Sequence, residues 1–592
     1  MTDSALAVPV PRPRPRGLLP FAPALTLTLM LLPVAAGLAF TALPAFGWLP
    51  ALGGTALTLQ PFRDLAAWPG LGAAVRLSLT TGLGATAISL AITVLILAGW
   101  QGTRAFRALE RALSPLLSVP HAAAAFGLAF LIAPSGWIAR ALSPWATGWD
   151  RPPDLLIVQD PGGLALTLGL VVKEVPFLLL MALAALSQAR AADRLTLARA
   201  LGYRRATGWL KTVLPAVYRQ IRLPVYAVLA YSMSVVDVAL ILGPSTPPTL
   251  AVQTVRWMAD PDLTMRFQAA AAARRQVGLV LGALALWRLA EAMVARAGRR
   301  RAMSGGRGHP AAEALARGAG LGLGALSAAA VLAGLASLAL WSLAGPWSFP
   351  DALPQALTLR TWVRHGPALA DPFAETLLIA AAATLAAVAL TLACLEAEHR
   401  HGLTPSTRSL WLLYAPLLVP QVAFLLGLQT LALGSGARDG RLAVIAAHLV
   451  FVLPYVFLSL ADTWRAWDAR HGTVARALGA SRNPTLFAVR LPMLLRPILT
   501  AAAVGLPLSV GQDPPPLPNR GGAVPADAAD RRRAGGAADD RGRGAGLGRR
   551  PPADRPDRTG ADRRRDPALR AGAAAAAGRL PQPAGVACLT AG

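Results

Sequence analysis

The feature that most constrains this chain is a series of apolar runs, each long enough to cross a lipid bilayer. A spanning helix needs roughly 20 predominantly apolar residues. Such runs lie near 21–43, 74–99, 114–134, 162–187, 223–243 and 267–290. A second set follows near 318–341, 374–395, 410–434 and 441–461, and another run starts near 497–511. Within a bilayer every backbone N–H and C=O must be satisfied by the chain itself, so the runs predict helices. Composition agrees: 54% of the 592 residues are hydrophobic and only 15% are charged, where soluble domains run at about 25% charged. The net charge of +27 could suggest a nucleic-acid partner, but basic residues beside long apolar runs fit a membrane protein better. Two cysteines, Cys394 and Cys588, exclude a disulfide scaffold and a four-cysteine zinc site.

The loop charges orient the spans. Arg12, Arg14 and Arg16 precede the first run. That run is longer than the 7–15 apolar residues of a signal peptide and leads into further spans, so it reads as an uncleaved helix. Arg104, Arg107 and Arg111 follow the second span, and eight basic residues from Arg190 to Arg222 follow the fourth. Arg299, Arg300, Arg301 and Arg307 follow the sixth, and Arg465, Arg470, Arg476, Arg482, Arg490 and Arg496 the tenth. The basic loops alternate, which places them and the N-terminus in the cytoplasm.

The chain also repeats itself. Residues 196–215 read TLARALGYRRATGWLKTVLP and residues 473–492 read TVARALGASRNPTLFAVRLP, offset by 277 (473 − 196). Each copy follows a span with a mid-helix proline, Pro176 or Pro454, and VPHAAAAFGL at 119–128 mirrors VPQVAFLLGL at 419–428. Ala-Arg-Ala-Leu favours helix, the glycine can end it, and Leu-Pro can open the next helix. Both copies therefore read as short helix, turn, short helix in a basic loop, a protrusion able to dock in a partner's groove.

These segments resemble the cytoplasmic loop of inner-membrane permeases of ABC importers. The family pattern is Glu-Ala-Ala, three residues, Gly, nine residues, Ile-x-Leu-Pro. Ala198, Gly202, Leu214 and Pro215 match it in the first copy, and Ala475, Gly479, Leu491 and Pro492 in the second. The glutamate is replaced by Thr196 and Thr473, and the first alanine by Leu197 and Val474. One such loop per half of a double-length chain resembles the fused permeases of ferric-iron, thiamine and related importers. The resemblance covers residues from about 60 to 511. It implies an all-α polytopic membrane protein of two tandem six-helix permease repeats, of the type I ABC-importer kind, with a path between the halves. It also implies that each loop forms a coupling helix on a separate cytoplasmic ABC ATPase, two copies in all, and that a periplasmic solute-binding protein delivers the solute.

A phosphate-binding P-loop needs Gly-x-x-x-x-Gly-Lys-Ser/Thr. The only lysines are Lys173 and Lys211, and neither follows a glycine. The chain is thus read as non-catalytic and without a bound cofactor, with ATP and Mg2+ used by the partner subunit. No metal site is expected: His399-Arg400-His401 reads as a solvated loop, and no Ser/His/Asp or paired-carboxylate constellation stands out. Lys173 and Glu174 inside the fourth span and Asp237 inside the fifth are candidates for the translocation path, because ionisable groups in a bilayer are costly. The alternative for Lys173 and Glu174 is packing or snorkelling. His448 reads as a helix–helix hydrogen bond, Gly320-x-x-x-Gly324 as close helix packing, and Arg274-Arg275 as the mark of a displaced outer half of the sixth span.

After Gln512 the composition changes. Of the 80 residues 513–592, 68 are Ala, Arg, Gly, Pro or Asp, and none is aromatic. Such a segment cannot bury a core or span a bilayer. It interrupts the repeat where a continuing helix and one more span are due. The expectation is a shifted reading frame in a GC-rich gene, so that the second repeat is truncated; the rival is a real basic tail lying on anionic lipid.

The domain reading is then a basic cytoplasmic N-terminus 1–16 and a first repeat 17–296 with coupling loop 188–222. A basic linker 297–317 leads to a second, incomplete repeat 318–512 with coupling loop 462–496, and the tail is 513–592. The function expected is the permease subunit of an ATP-driven importer of a small molecule or ion, multi-pass in a bacterial inner membrane, with no nucleic-acid partner. Two other classes remain: an ion-gradient-driven secondary transporter working through Asp237 and Glu174, and a membrane scaffold or receptor without solute flux.

Overall fold

The computed structural model describes residues 17–403, 406–434 and 440–511, so the Ala/Arg/Gly/Pro-rich segment lies outside the described residues. Among the described residues the regular structure is helical, with two isolated β-bridges, Leu49 to Gly54 and Ala344 to Leu357. Among the described residues, eight helices are long and apolar enough to cross a membrane, or up to ten if two sharply bent pairs each count as one crossing. The all-α polytopic class expected from the apolar runs is the one the chain adopts.

The first half runs α1 Ala22–Ala45, α2 Gln60–Ala67, α3 Leu71–Trp100, α4 Arg104–Ser118, α5 His121–Ile132, α6 Trp137–Leu142 and α7 Leu164–Gln188. Shorter pieces follow: α8 Ala191–Ala200, α9 Arg205–Gly208, a π-turn at Trp209–Val213, α10 Leu214–Ser234, α11 Asp237–Leu242 and α12 Leu250–Met258. Then come α13 Met265–Met303 and α14 Pro310–Leu343. The second half, which α14 opens, continues through α15 Arg360–His401, α16 Thr407–Leu418, α17 Gln421–Gly434, α18 Gly440–Arg465 and α19 Ala469–Ala477. It ends with α20 Arg482–Pro484, a π-turn at Thr485–Arg490, α21 Leu491–Met493 and α22 Leu495–Val510.

Short sequence signals set the breaks. A residue before proline is pushed out of the helical region. Val119 and Val419 accordingly adopt ψ 125° and 126°, and each separates two helices, α4 from α5 and α16 from α17. Thr103 caps α4 by accepting from the Phe106 N–H, and Ser406 caps α16 by accepting from Ser409. The run at 114–134 is therefore not one span; the apolar stretch that can cross is His121–Leu142. The run at 410–434 is a pair bent by 89°. The run at 223–243 is also broken: α10 ends at Ser234 and α11 restarts at Asp237. The linker expected over 297–317 is mostly helix, because α13 continues to Met303 and α14 starts at Pro310.

The first helix of each half packs on the other half. Met30 of α1 lies in the core built by α15, α16, α18 and α22, and Val34 packs with Phe424, Val450 and Phe451. Val331 of α14 packs with Leu116 and Val172. Paired glycines permit both crossings. A Cβ on Gly427 would overlap the Gly37 carbonyl, and one on Gly127 would meet the Gly334 backbone at 2.7 Å. Gly127 and Gly427 are the glycines of the mirrored VPHAAAAFGL and VPQVAFLLGL segments. Gly320 and Gly324 likewise sit against Leu95 and Ile96 of α3, the close packing their spacing suggests. Arg274 is accounted for by packing rather than displacement. α13 runs unbroken through it, and its guanidinium donates to the Leu38 carbonyl of α1, while Arg275 is exposed.

Candidate coupling loops and the seam between the halves

The two repeated segments fold alike. In loop 1, α8 stops at Gly202, whose φ of +80° is one that glycine adopts at little cost. The Gly202 N–H donates to the Arg199 carbonyl at 2.9 Å and the Tyr203 N–H to Ala198 at 3.0 Å. In loop 2, Gly479 has φ +88°, its N–H donates to Arg476 at 3.0 Å, and the Ala480 N–H donates to Ala475 at 3.0 Å. Both are Schellman caps, with glycine at the first residue past the helix. The roles of Ala198 and Ala475 follow: each supplies the carbonyl that closes the cap. Ala198 is also buried, its methyl close to Gly208, so a larger residue would push α8 off α9.

Each loop then passes through a π-turn into Leu-Pro. Pro215 and Pro492 cannot donate to the carbonyl four residues back, and their rings would collide with it. A widened turn just before each proline relieves both problems. Leu214 and Pro215 open α10, and Leu491 and Pro492 open α21. The outer faces match as well. Leu197 and Leu201 are 64% and 58% exposed, and their offset mates Val474 and Leu478 are 59% and 83% exposed.

The anchors beneath the loops differ. In loop 1 the Ala206 N–H is held by both oxygens of Glu313, from the first turn of α14, at 3.1 and 3.0 Å. The Arg204 N–H donates to the Arg307 carbonyl, Lys211 Nζ to Gly306, and the fully buried Trp209 Nε1 to Gln101 Oε1 at 2.7 Å. Burial, with Arg317 and Arg199 nearby, pulls the Arg205 guanidinium below its ordinary pKa, and Glu313 opposes this. In loop 2 the buried Arg490 donates to Glu396 at 3.1 Å and to the Trp464 carbonyl at 3.0 Å, and it lies 4.2 Å from the Trp464 ring centroid. Glu396 also accepts from Arg400 at 2.6 Å. The loop motif gives no sign of Glu313, Glu396 or Arg490, because their partners lie about a hundred residues away.

The candidate path residues fall on the first half's side of the seam. Lys173 is buried and donates to the Leu116 and Val119 carbonyls at 3.1 and 2.7 Å, where the Val-Pro break leaves them without helical partners. It acts there as a cap. Glu174, its neighbour in sequence, faces His121 at 4.0 Å, and the His121 ring lies 4.9 Å from Tyr231 of α10. His121 escaped the sequence reading, although it directly follows the Val-Pro break, as Gln421 does in the mirrored segment. Asp237 stands in the first turn of α11, half-buried. α11 packs on α7 at Gly169, one turn before Lys173. Across the seam, Phe177 meets Tyr455 with centroids 5.8 Å apart. Each follows the mid-helix proline of its own half, so equivalent positions meet. Gln188 donates to Asp462 at 2.9 Å on the same seam. His448 bonds the Ser509 hydroxyl at 2.8 Å, joining α18 to α22 as a helix–helix contact.

Comparisons with known proteins agree with this construction. A family model described as the binding-protein-dependent transport system inner membrane component matches residues 389–512. The chain is 31% identical over 471 residues to the inner membrane ABC transporter permease protein YnjC of Escherichia coli, covering 78% of this chain and 82% of that protein. It is 30% identical over 182 residues to the putative 2-aminoethylphosphonate transport system permease protein PhnV of Salmonella typhimurium, covering 30% of this chain and 68% of that one. The molybdenum transport system permease protein ModB of Mycobacterium tuberculosis is 30% identical over 177 residues, 26% of this chain and 66% of its own. No solved structure matches. The longest of these alignments covers more than three quarters of each chain, and the chain belongs to the inner-membrane permeases of binding-protein-dependent ABC importers.

Proposed function

We propose that this chain is the subunit through which ATP hydrolysis on separate cytoplasmic subunits drives a solute across the bacterial inner membrane. One observation carries the reading. Two loops with the same cap present two exposed aliphatic side chains at the same motif positions. Apolar side chains held in water on a rigid, capped helix make a surface suited to a partner's groove. Two such surfaces suit two ATPase copies. Closure of the ATPases pushes on both loops, and the stiff anchors beneath them pass the push into α10 and α21–α22. The halves then rock about their seam, where Phe177 and Tyr455 stand, and the path candidates Glu174 and Asp237 lie beside it.

In this reading the chain binds no cofactor and catalyses nothing; ATP and Mg2+ belong to the partner. The basic loops and the N-terminus face the cytoplasm, and a periplasmic binding protein delivers the solute to the opposite mouth. Two relatives are named for 2-aminoethylphosphonate and molybdenum, so family membership does not fix the solute. Ferric iron, thiamine or another small solute fits the fused, double-length form.

The test uses Gly202→Asp with Gly479→Asp, and separately Leu201→Asp with Leu478→Asp, in the full chain co-expressed with its ATPase. Both pairs are expected to lose ATPase co-purification and solute uptake while the chain still reaches the membrane. Unchanged association and uptake in the leucine pair overturn the coupling role.

A further inference from the structure

Loop 1 and loop 2 share their internal geometry but not their surroundings. Beside loop 1, α14 supplies an anion: the Glu313 carboxylate holds the Ala206 N–H and balances Arg205, with Arg199 and Arg317 nearby. The repeat offset of 277 carries Arg204, Arg205 and Ala206 to Ser481, Arg482 and Asn483. Beside those three residues there is a cavity of about 390 Å³, lined by them together with Leu19, Arg400 and His401.

That cavity lacks the internal anion of loop 1. The carboxylate of the adjoining recess, Glu396, is committed to Arg490 at 3.1 Å and to Arg400 Nε at 2.6 Å. Arg400 still reaches the cavity wall, where its Nη1 donates to Asn483 Oδ1 at 2.8 Å. α1 is the second half's counterpart of α14, because each crosses the opposite half through a glycine pair. The first turn of α14 brings Glu313, whereas the first turn of α1 carries no acidic residue. Arg400 and Arg482 therefore line the cavity at loop 2 where loop 1 has a carboxylate.

The cavity's rim continues into apolar surface. Leu18 and Phe21 beside Leu19, then Leu25, Leu29 and Leu32 along α1, are all exposed. An oxyanion seated among Arg400, Arg482 and His401 would have an acyl-sized apolar track leading away along a spanning helix. A soluble phosphate has no use for that track; a lipid has.

We propose that this cavity binds the phosphate of an anionic membrane lipid, which does for loop 2 what Glu313 does for loop 1. Charge-assisted hydrogen bonds from the arginines and the Ser481 and Asn483 side chains hold the headgroup. The anionic leaflet supplies it at high local concentration. Loop 2 is then stiffened by the bilayer and loop 1 by the chain itself. The proposal rests on loop 2 lying at the membrane face, and its test does not depend on transport.

The experiment places the full chain in nanodiscs of phosphatidylcholine, with or without phosphatidylglycerol, and follows trypsin cleavage after Arg482. Cleavage after Arg204 and Arg205 in loop 1 is the internal reference. Phosphatidylglycerol is expected to slow cleavage after Arg482 by about fivefold, one basic residue's share of anionic-lipid attraction, and to leave loop 1 unchanged. His401→Glu, which puts a carboxylate into the cavity, should remove that protection without altering cleavage in phosphatidylcholine alone. Arg400→Gln should also make cleavage after Arg482 equal with and without phosphatidylglycerol. Equal cleavage with and without phosphatidylglycerol overturns the proposal, as does protection that survives both variants or extends equally to loop 1. Inorganic phosphate added to phosphatidylcholine discs separates the sources: protection by it as strong as by phosphatidylglycerol overturns the lipid assignment in favour of a free anion.

Discussion

Gly202 and Gly479 show how much local structure can rest on one missing methyl group. Both hold positive φ, and neither has a close neighbour that a Cβ would strike: at Gly202 the nearest atoms belong to Arg307 at 3.4 Å, and at Gly479 none lies within 4 Å. Alanine at either site should therefore cost only the left-handed backbone penalty, about 1–2 kcal/mol. The expected readout is amide exchange at Tyr203 or Ala480, the last hydrogen bond of each cap, faster by roughly five- to thirtyfold. Exchange that stays at the wild-type rate in both variants would show that the caps are not held by glycine. These residues are legible because the chain writes them twice, at equal spacing. Their anchors are not. Nothing local marks Glu313 as the acceptor for Ala206, or Arg490 as the partner of Glu396; only the helix packing brings them together. Lys173 shows the opposite case, a charge that stands out in an apolar run while the two carbonyls it caps do not.

At the scale of elements, helix existence is plain from sequence and helix ends are not. Long apolar runs give spans wherever nothing interrupts them, as in α3, α7 and α18. Val119-Pro120 and Val419-Pro420 mark the repeat, yet their larger effect is mechanical, because they bend the chain. The crossings of α1 and α14, each over the opposite half, have no sequence signature beyond glycine content. It makes a sharp expectation possible. Thr26 of α1 lies 3.1 Å from the Sγ of Cys394, which is buried on α15. In a Cys588→Ser background, intact chain in native membranes should resist labelling of Cys394 by a membrane-permeant maleimide. Overpacking costs about 1–3 kcal/mol where side chains can shift, but at Gly427 the obstacle is the Gly37 backbone itself. Gly427→Leu should therefore undock α1 and expose Cys394 to the reagent. A variant as resistant as the parent would mean that the glycine crossing does not hold α1 in place.

For the whole molecule the decisive contrast is between the segments C-terminal to the two repeated loops. After loop 1, α10 leads through α11 and α12 to α13, which packs against α10 and α3 around Leu229, Met233 and Val280. After loop 2, α22 runs to Val510, and the next described residue, Gly511, is the last. The match to the family model stops at 512 as well. Exposed apolar faces, such as Leu385 on α15 and Leu499 on α22, do not by themselves argue for missing helices, since lipid covers an apolar face at no cost. Composition argues for them. The residues from 513 onward hold 11 prolines and 24 charged side chains, 15 Arg and 9 Asp, so none of them can take up the role that α12 and α13 play in the first half. A shifted frame would account for both observations, because out-of-frame reading of a GC-rich gene yields Ala, Arg, Gly, Pro and Asp regardless of what the original frame encoded. The gene, resequenced and translated in all three forward frames from about codon 500, should then show an apolar run continuing α22 and one further span in a neighbouring frame. A chain restored to that frame should match the family beyond residue 512. If no frame yields such a run, the basic segment is part of the protein, and a permease of this construction works with one half shorter than the other.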